Sequence, residues 1–497
     1  MQEKLHCKSC IGFKWRFRVK NNHTAENSEK STIYIDGQDI PVVYTSDVIV
    51  AGGGSAGFAA CLAAARNGVR TIIIEREFAL GGILTSGLMS KIAIEPYMEG
   101  IPTEVMMRLG DQNMALPPKS FPGIHPVTKM TEIPVDPESS KKLLEDMVLE
   151  AGEHALVLYG TVVTGVIKDG DTIRGVIIEN KNGRQIIEGT VFIDATGDGD
   201  LSVQAGASYK IGNEEDGLCS APTLMFRIGN VDFEGLIKHF EKNPEDLPNQ
   251  KLEDLRAALS GEPPKYAHIG RFQKTIKSAI EKENLSDWEK QVLTVRNGIL
   301  MMNQPNPNQL LVNTTRIMGI NAIEAKVISD AMIEGRKQCW FVYRFIKNHI
   351  MGFENSYLMD TASILGIRET RRIVGDHIHT IEDFKSRRKY ADAIVRNTDS
   401  VEYHNPKGEG TRMERYEEGE YEEISYSSIL VKGLKNLMVI GRCFSADQLA
   451  LSCNRSIGFC FSMGQAAGTA AAMAVRDAVA IRDISISELQ KKVYAQK

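Results

Sequence analysis

Three glycines and a downstream acid carry the first chemistry in this chain. Gly52, Gly54 and Gly57 fill the spacing G-x-G-x-x-G within Asp47-Val-Ile-Val-Ala-Gly-Gly-Gly-Ser-Ala-Gly57, and Glu75 closes the apolar run Thr71-Ile-Ile-Ile. Gly52 permits a tight turn, Gly54 lets the backbone approach a pyrophosphate, and Gly57 lets a helix pack closely on a sheet. Ser55 and Ala56 open that helix, so their N–H groups and the positive end of its dipole face the phosphates. At position 75 a carboxylate can accept both ribose hydroxyls of an adenosine. The chemistry is dinucleotide binding. A purely structural βαβ unit is the alternative, and the joint presence of strand, turn, helix, second strand and acid argues against it.

Four further stretches supply small residues where a ligand approaches backbone. Phe78-Ala-Leu-Gly-Gly-Ile-Leu-Thr-Ser-Gly87 offers Gly82 and Thr85, and the strand Val191–Asp194 ends in Ala195-Thr196-Gly197-Asp198. The apolar run Leu437-Met-Val-Ile ends at Gly441-Arg442, and the small-residue helix Met463–Val475 includes Gly464 and Gln465. Charged candidates are fewer. Arg455 precedes that last helix in a segment that needs no charge for packing, so it is the leading candidate for a substrate-facing cation; a salt bridge to a covering domain is the alternative. Arg371 and Arg372 follow Glu369 and read either as a structural ion-pair cluster or as an anion site. His125 lies between Gly123 and Pro126 in a loop, and Tyr403 and His404 complete the set.

The elements that must position these residues alternate in period. Strands 47–51, 71–74 and 191–194 are continuous apolar runs, as in a parallel sheet buried on both faces. Helix 55–67 joins the first two. Thr32–Ile35 and Ile40–Tyr44 suggest a strand or hairpin leading in. Asp136 caps a helix with Pro137 at its first position. Strands 155–159, 161–168, 172–179 and 185–188, separated by Asp-Gly and Asn-Gly turns, form an antiparallel meander. Residues 95–137, rich in Pro, Met and Gly, read as an insertion or covering loop. Residues 201–360 read as strands and long helices of a covering region, with an aromatic cluster at Trp340, Phe341, Tyr343 and Phe345. The acidic run Glu414–Glu423 reads as a solvated loop or edge.

The 497 residues, 42% apolar, suffice for two or three domains. A net charge of −5 argues against a nucleic-acid or anionic-membrane surface as the main partner. No apolar run reaches the roughly 18–20 residues of a membrane span. Eight cysteines without regular spacing suit a reducing compartment, so a cytoplasmic protein is expected. Residues 1–30 read as a terminal arm; His6, Cys7 and Cys10 do not make a four-ligand zinc site, and no metal is expected. Cys453 and Cys460 lack the C-x-x-C spacing of a redox pair.

Taken in order, these motifs resemble the FAD-dependent oxidoreductases of the broad class that includes fumarate reductase flavoproteins. More closely, they resemble a largely uncharacterised branch with Leu-Gly-Gly after the second strand, Arg-Arg-Ile-Val-Gly at 371–375 and Gly-Gln-Ala-Ala-Gly-Thr at 464–469. The resemblance spans roughly residues 47–478. It implies an α/β fold: a Rossmann-like FAD-binding domain with parallel sheet and β-meander, plus an inserted α+β substrate or cap domain. The expected division is an arm at 1–40, the FAD domain at 41–95, 138–215 and 430–480, the cap at 96–137 and 216–429, and a tail helix at 481–497. It further implies that Gly52, Gly54, Gly57, Glu75 and Arg76 hold the ADP part, with Gly82 and Thr85 near pyrophosphate and flavin. Gly197 and Asp198 line the dinucleotide; Gly441, Arg442 and the helix from Gly464 meet ribityl chain and ring. The sequence lacks the histidine that precedes the paired glycines in covalently flavinylated relatives, so noncovalent FAD is expected.

The implied function is two-electron transfer between flavin N5 and a small organic substrate, with NAD(P)H or another electron partner, and a homodimer as an expected assembly. Two other readings remain: an FAD-fold binding or regulatory protein without turnover, and a flavin-dependent RNA-modifying enzyme, for which only the basic stretch 14–20 speaks.

Overall fold

A computed structural model describes residues 32–494 apart from 36–37, 95–96, 116–130, 249, 262–265, 409–410, 415 and 418. The expectations for residues 1–30 and for His125 lie outside the described residues.

The central sheet is built on β1 (Gln38–Ala51), β2 (Thr71–Ile74), β3 (Ala155–Leu158), β4 (Val162–Asp169), β5 (Thr172–Asn180), β6 (Gly183–Asp194) and β7 (Leu437–Val439), with Thr32–Ile35 paired antiparallel to β1. Its order runs β3-β2-β1-β6-β5-β4, and β7 pairs with the far end of β6. The pairs β1–β2, β1–β6, β2–β3 and β6–β7 are parallel, with Ala51 opposite Ile74 and Asp194. All the turns that carry candidate residues therefore leave one edge of the sheet. Strand β6 is a single strand of 12 residues that serves both as the last strand of the antiparallel meander and as a member of the parallel sheet. The separate strands expected at 185–188 and 191–194 are thus one. Gly189 does not break it; a Cβ there would strike the Ile49 side chain, 2.6 Å away.

Alternate residues of the parallel strands feed two cores, as the period of a strand requires. Val48, Val50, Ile73 and Ile193 face a helical layer, whereas Ile49, Ile72, Ile74 and Phe192 pack with Ile173, Val176 and Ile178 of the meander. The helical layer consists of α1 (Ser55–Arg66), α2 (Ile101–Asp111), α3 (Pro137–Leu149) and α4 (Ile457–Asp477). Helix α3 starts as expected, with the Asp136 side chain accepting from Ser139 N and Pro137 in the first turn. Helix α4 crosses α1 through small residues: a Cβ on Gly464 or Gly468 would lie 2.1 Å from Ala56 O or Ala60 O.

Over Ile101–Asp111, helix α2 corrects the covering-loop reading of 95–137. Ile101, Val105 and Leu109 recur at four-residue intervals and are buried in the same core as α1 and α4. Gly100 at φ +78 and Pro102 mark the helix start; they had read as loop punctuation. The solvated-loop reading of the acidic run is corrected at its end, Glu422 and Glu423. Glu422 is fully buried on the strand Glu422–Ser425, where it pairs with His379.

A second sheet stands apart from the first. It is antiparallel, in the order His268–Ile269, Met301–Asn303, Leu310–Val312, Phe226–Gly229, Tyr357–Thr361. With the 25-residue helix Ala325–His349 it encloses its own core of Phe226, Phe240, Phe272, Phe345 and their neighbours. Phe341, Tyr343 and Phe345 are buried there, while Trp340 is exposed. Ile83 and Met89 pack against both this core and that of the helical layer.

Candidate functional site

The cradle at the sheet edge is shaped by what each glycine avoids. Gly52 sits at φ +98, and a Cβ there would lie 2.4 Å from Ala195 O; on Gly57 it would lie 1.8 Å from Gly52 O. Both positions are closed by backbone. Gly54 is different: no atom lies within 4 Å of a Cβ placed on it. Open space thus faces the start of α1 at the position where the spacing requires close approach. Gly54 O accepts from Phe58 N, while Ser55 Oγ donates to Gly81 O at 3.2 Å. Gly81 N donates to Gly53 O at 2.8 Å, which holds the loop of Gly82 and Thr85 beside the turn. Thr85 is fully buried and donates to Leu80 O.

Glu75 lies at the end of β2 with its carboxylate buried. Oε2 accepts from Gly53 N, and Oε1 accepts from Glu77 N at 2.8 Å. Burial raises its pKa, and the two backbone donors only partly oppose that. Arg76 is exposed and approaches Glu77 at 3.9 Å. This arrangement fits an adenosine dinucleotide: an open helix N-terminus for the pyrophosphate, and a carboxylate fixed by the turn itself for the ribose.

The turn after β6 is fixed from within. Asp194 is fully buried; Oδ1 accepts from Thr196 N and Oγ1, and Oδ2 from Ser202 N at 2.7 Å. Ala195 supplies the carbonyl against Gly52, and Gly197 adopts φ +78 beneath the Arg442 guanidinium. Asp198 is held by Arg442 Nη2 at 2.9 Å and Thr370 Oγ1 at 2.6 Å. Burial pushes the Asp198 carboxyl up, but Arg442 and Thr370 hold it net below the usual range. A Cβ on Gly441, at φ +72, would lie 3.1 Å from the Ala56 side chain in α1, so the turn after β7 comes up to the helix that follows β1.

Gly464 and Gln465 occupy packing positions. Gly464 is the crossing point with α1, and Gln465 Oε1 accepts from Ile101 N at 2.6 Å at the start of α2. Arg371 donates to Asp198 O and to Asp200 Oδ1 at 2.7 Å, which ties the turn after β6 to the strand Arg371–Ile373. Arg372 is buried against Glu369, Gly212 O and Ala446 O, as the ion-pair reading had it. Cys453 and Cys460 are free and buried, and burial raises both thiols, Cys460 to about 12.

Arg455 and His404 fall in one constellation with residues the sequence reading passed over. Arg455 Nη2 donates to Glu402 O at 3.2 Å, and Glu402 Oε1 lies 3.4 Å from His404 Nε2. Arg316 Nη2 donates to His404 Nδ1 at 3.1 Å, and Arg316 Nη1 to Val295 O at 3.4 Å. The next residue, Arg296, donates to Asn313 Oδ1 at 2.7 Å, and Arg271 to Arg296 O at 3.3 Å. Arg368 donates to Ala221 O and, at 2.9 Å, to Thr223 Oγ1. Burial, then Arg368, Arg296, Arg455 and Arg316, hold the His404 imidazole well below its ordinary pKa. Its Nδ1 therefore accepts from Arg316, and its proton sits on Nε2 toward Glu402. Asp399 joins from the same chain segment, pushed up to about 7 by burial and by Glu402. No spacing in the sequence marks this group; only the fold collects it.

Among the described residues, one cluster has the composition of a metal site: His377, His379 and Asp383. Asp383 Oδ2 already accepts from Thr380 N and Oγ1, and Oδ1 from Arg388 Nε. The carboxylate is thereby spent as a helix cap. No helix among the described residues is long and apolar enough to cross a membrane.

A family model described as FAD dependent oxidoreductase matches residues 47–493. Among solved structures, a geranylgeranyl bacteriochlorophyll reductase-like protein from Thermoplasma acidophilum matches at 15% identity, over 90% of this chain and 82% of that one, with a TM-score of 0.46. The p-nitrophenol 4-monooxygenase of Pseudomonas putida matches at 10% identity over 91% and 84%, TM-score 0.43. The L-proline dehydrogenase of P. horikoshii matches at 11% identity over 88% and 95%, TM-score 0.41.

Proposed function

The chain belongs to the FAD dependent oxidoreductase family, and on that premise we propose that it transfers two electrons between flavin N5 and a small organic substrate seated between the nucleotide-binding sheet and the second sheet. The supporting observation is the open space at Gly54 before α1, facing a loop whose Ile83 packs against both cores. FAD, when bound, supplies the two-electron chemistry. The protein supplies the rest. The N-terminus of α1 takes the pyrophosphate, and Glu75 takes the ribose. Gly81, held to Gly53 O, keeps the loop to Gly87 where a flat ring would pass from the first core to the second. Ser86 O accepts from Ser363 N at 2.9 Å, which ties that loop to the segment leading to Arg368. Asp399, near neutrality in its pKa, is suited to hold or release the substrate proton at working pH.

FAD is bound without a covalent link in this reading, since no histidine stands just before the paired glycines Gly81-Gly82. The segments 41–95, 138–215 and 430–480 form the FAD-binding part and 216–429 most of the cap. Helix α2 sides with the former, as its burial against α1 and α4 supports. NAD(P)H or another electron partner reaches the flavin transiently.

The test is an absorption spectrum of the purified protein, repeated on the supernatant after heat denaturation, followed by anaerobic donor screening. Flavin bands released to the supernatant and then bleached by a specific donor support the reading. A colourless protein that fails to take up FAD overturns it, and flavin that no donor reduces favours a binding protein without turnover.

A further inference from the structure

From the arginine constellation we infer that the substrate site takes a small organic anion carrying at least two negative charges, its oxyanions held by Arg296, Arg368 and Arg455. The inference deepens the proposed function and rests on it for the identity of the ligand as substrate.

The constellation carries charge without counter-charge. Among the described residues, Arg271, Arg296, Arg368 and Arg455 make no ion pair. Their hydrogen bonds go to neutral oxygens: Arg296 O, Asn313 Oδ1, Ala221 O, Thr223 Oγ1 and Glu402 O. All four are half-buried. Burying guanidiniums without partners is costly, and proteins ordinarily avoid it. Two carboxylates serve the group, Glu402 and Asp399, so four guanidiniums exceed them by two even when both acids are ionised. Glu132 and Glu369 are not available, because Lys91 and His268 already hold the first and Arg372 the second. A ligand of charge −2 would balance these four.

The geometry suits recognition as well. Each of these arginines anchors one edge of its planar fork on protein, and a guanidinium has donors on more than one edge, which match a carboxylate or a phosphate in pairs. They come from separate segments: Arg296 after the helix Asp287–Thr294, Arg368 after the strand Tyr357–Thr361, and Arg455 just before α4. Such a set converges only through the fold. The placement also joins the site to the flavin side, since the segment 363–368 begins on Ser86 at the loop beside the cradle. A Cβ on Gly366 would lie 3.5 Å from the Ile83 side chain of that loop. The shared chemistry is a dianionic oxyanion, and both dicarboxylates and phosphate esters present it.

The experiment titrates the FAD-loaded protein with malonate, glycerol phosphate and acetate at constant ionic strength, reading the flavin difference spectrum. Calorimetry of the same anions into FAD-free protein runs in parallel. Expected is saturable binding of malonate or glycerol phosphate at least ~10-fold tighter than acetate, with the better of the two naming the oxyanion. Arg368→Gln and Arg296→Gln should each weaken it ~10-fold or more while FAD affinity stays unchanged; circular dichroism screens both for folding, and Arg455→Gln replaces whichever fails. Acetate binding as tightly as malonate, no saturation by either method, or wild-type anion affinity in folded variants overturns the inference. So does competition between malonate and FAD, which would make the cluster part of the cofactor site. Calorimetry separates the two proposals: dianion binding to a protein that refuses FAD leaves the anion site standing and removes the flavin reading.

Discussion

Replacing Gly54 by Ala separates binding from folding more cleanly than any other change in the cradle. Gly54 has φ −63 and ψ −174, a conformation alanine adopts without strain, and a Cβ there meets nothing within 4 Å. The FAD-free protein should therefore keep its stability, or gain about 0.4–1 kcal/mol from a less flexible unfolded chain. The new methyl group, however, stands in the space at the start of α1. A pyrophosphate displaced from that helix end loses at least one hydrogen bond to a charged group, worth about 1.5–3 kcal/mol, or roughly 10- to 150-fold in Kd. Gly57→Ala is the counterpart. Its Cβ would lie 1.8 Å from Gly52 O, so the turn itself must move, at about 1–3 kcal/mol of folding stability. The assay is quenching of FAD fluorescence on titration into FAD-free protein, paired with urea melts followed by circular dichroism. If Gly54→Ala binds FAD within threefold of wild type, or loses as much stability as Gly57→Ala, the reasoning about the cradle fails.

Glu75→Ala should weaken FAD by roughly 10-fold or more, since it removes both the proposed ribose acceptor and the brace on Gly53 N; isothermal titration with FAD reads it. Gly468→Ala should cost about 1–3 kcal/mol in urea melts at the crossing of α1 and α4, because its Cβ would lie 2.1 Å from Ala60 O. His379 gives a pH signature. Burial lowers its pKa, but Glu422 and Asp383 raise it net above the ordinary 6.5. Its contribution is then fully present below pH 6.5 and is lost as pH rises through the folded pKa. Urea midpoints should fall across that window in wild type, and His379→Gln should flatten that part of the profile; an unchanged slope would refute the assignment. Asp399→Asn should remove a rate-controlling ionisation near pH 7 from the pH profile of flavin reduction, once a donor is known.

The glycine cradle was legible in the sequence because its parts are local. Strand, turn, helix and acid lie within 47–75, and each glycine answers to backbone nearby. The meander was equally legible from Asp-Gly and Asn-Gly turns, with Gly170 and Gly183 both at positive φ. Residues serving two purposes were harder. Gly464 and Gln465 stand in a motif that resembles a cofactor signature, yet their contacts are helix crossing and helix capping. Helix α2 was hidden by the glycine and proline at its start. The arginine constellation was not legible at all, since its members are spread from 271 to 455 without period and become neighbours only through the second sheet. Arg455 was found because it lies just before α4. Nothing local distinguishes Arg296 or Arg368 from surface arginines.

The crossing of α1 and α4 has a consequence for how the polypeptide is made. Helix α1 ends at Arg66, and its partner begins at Ile457. At about 5–20 residues per second of translation, roughly 20–80 s separate the emergence of the two. Through that interval the alanine face of α1, including Ala56, Ala59 and Ala60, lacks the surface it is shaped to meet. The first βαβ unit is synthesised well before the helix that completes it. Ribosome-bound chains stopped before residue 457 should therefore leave α1 open to chaperones and proteases, and the nucleotide cradle should become competent only once the far end of the chain has closed over it.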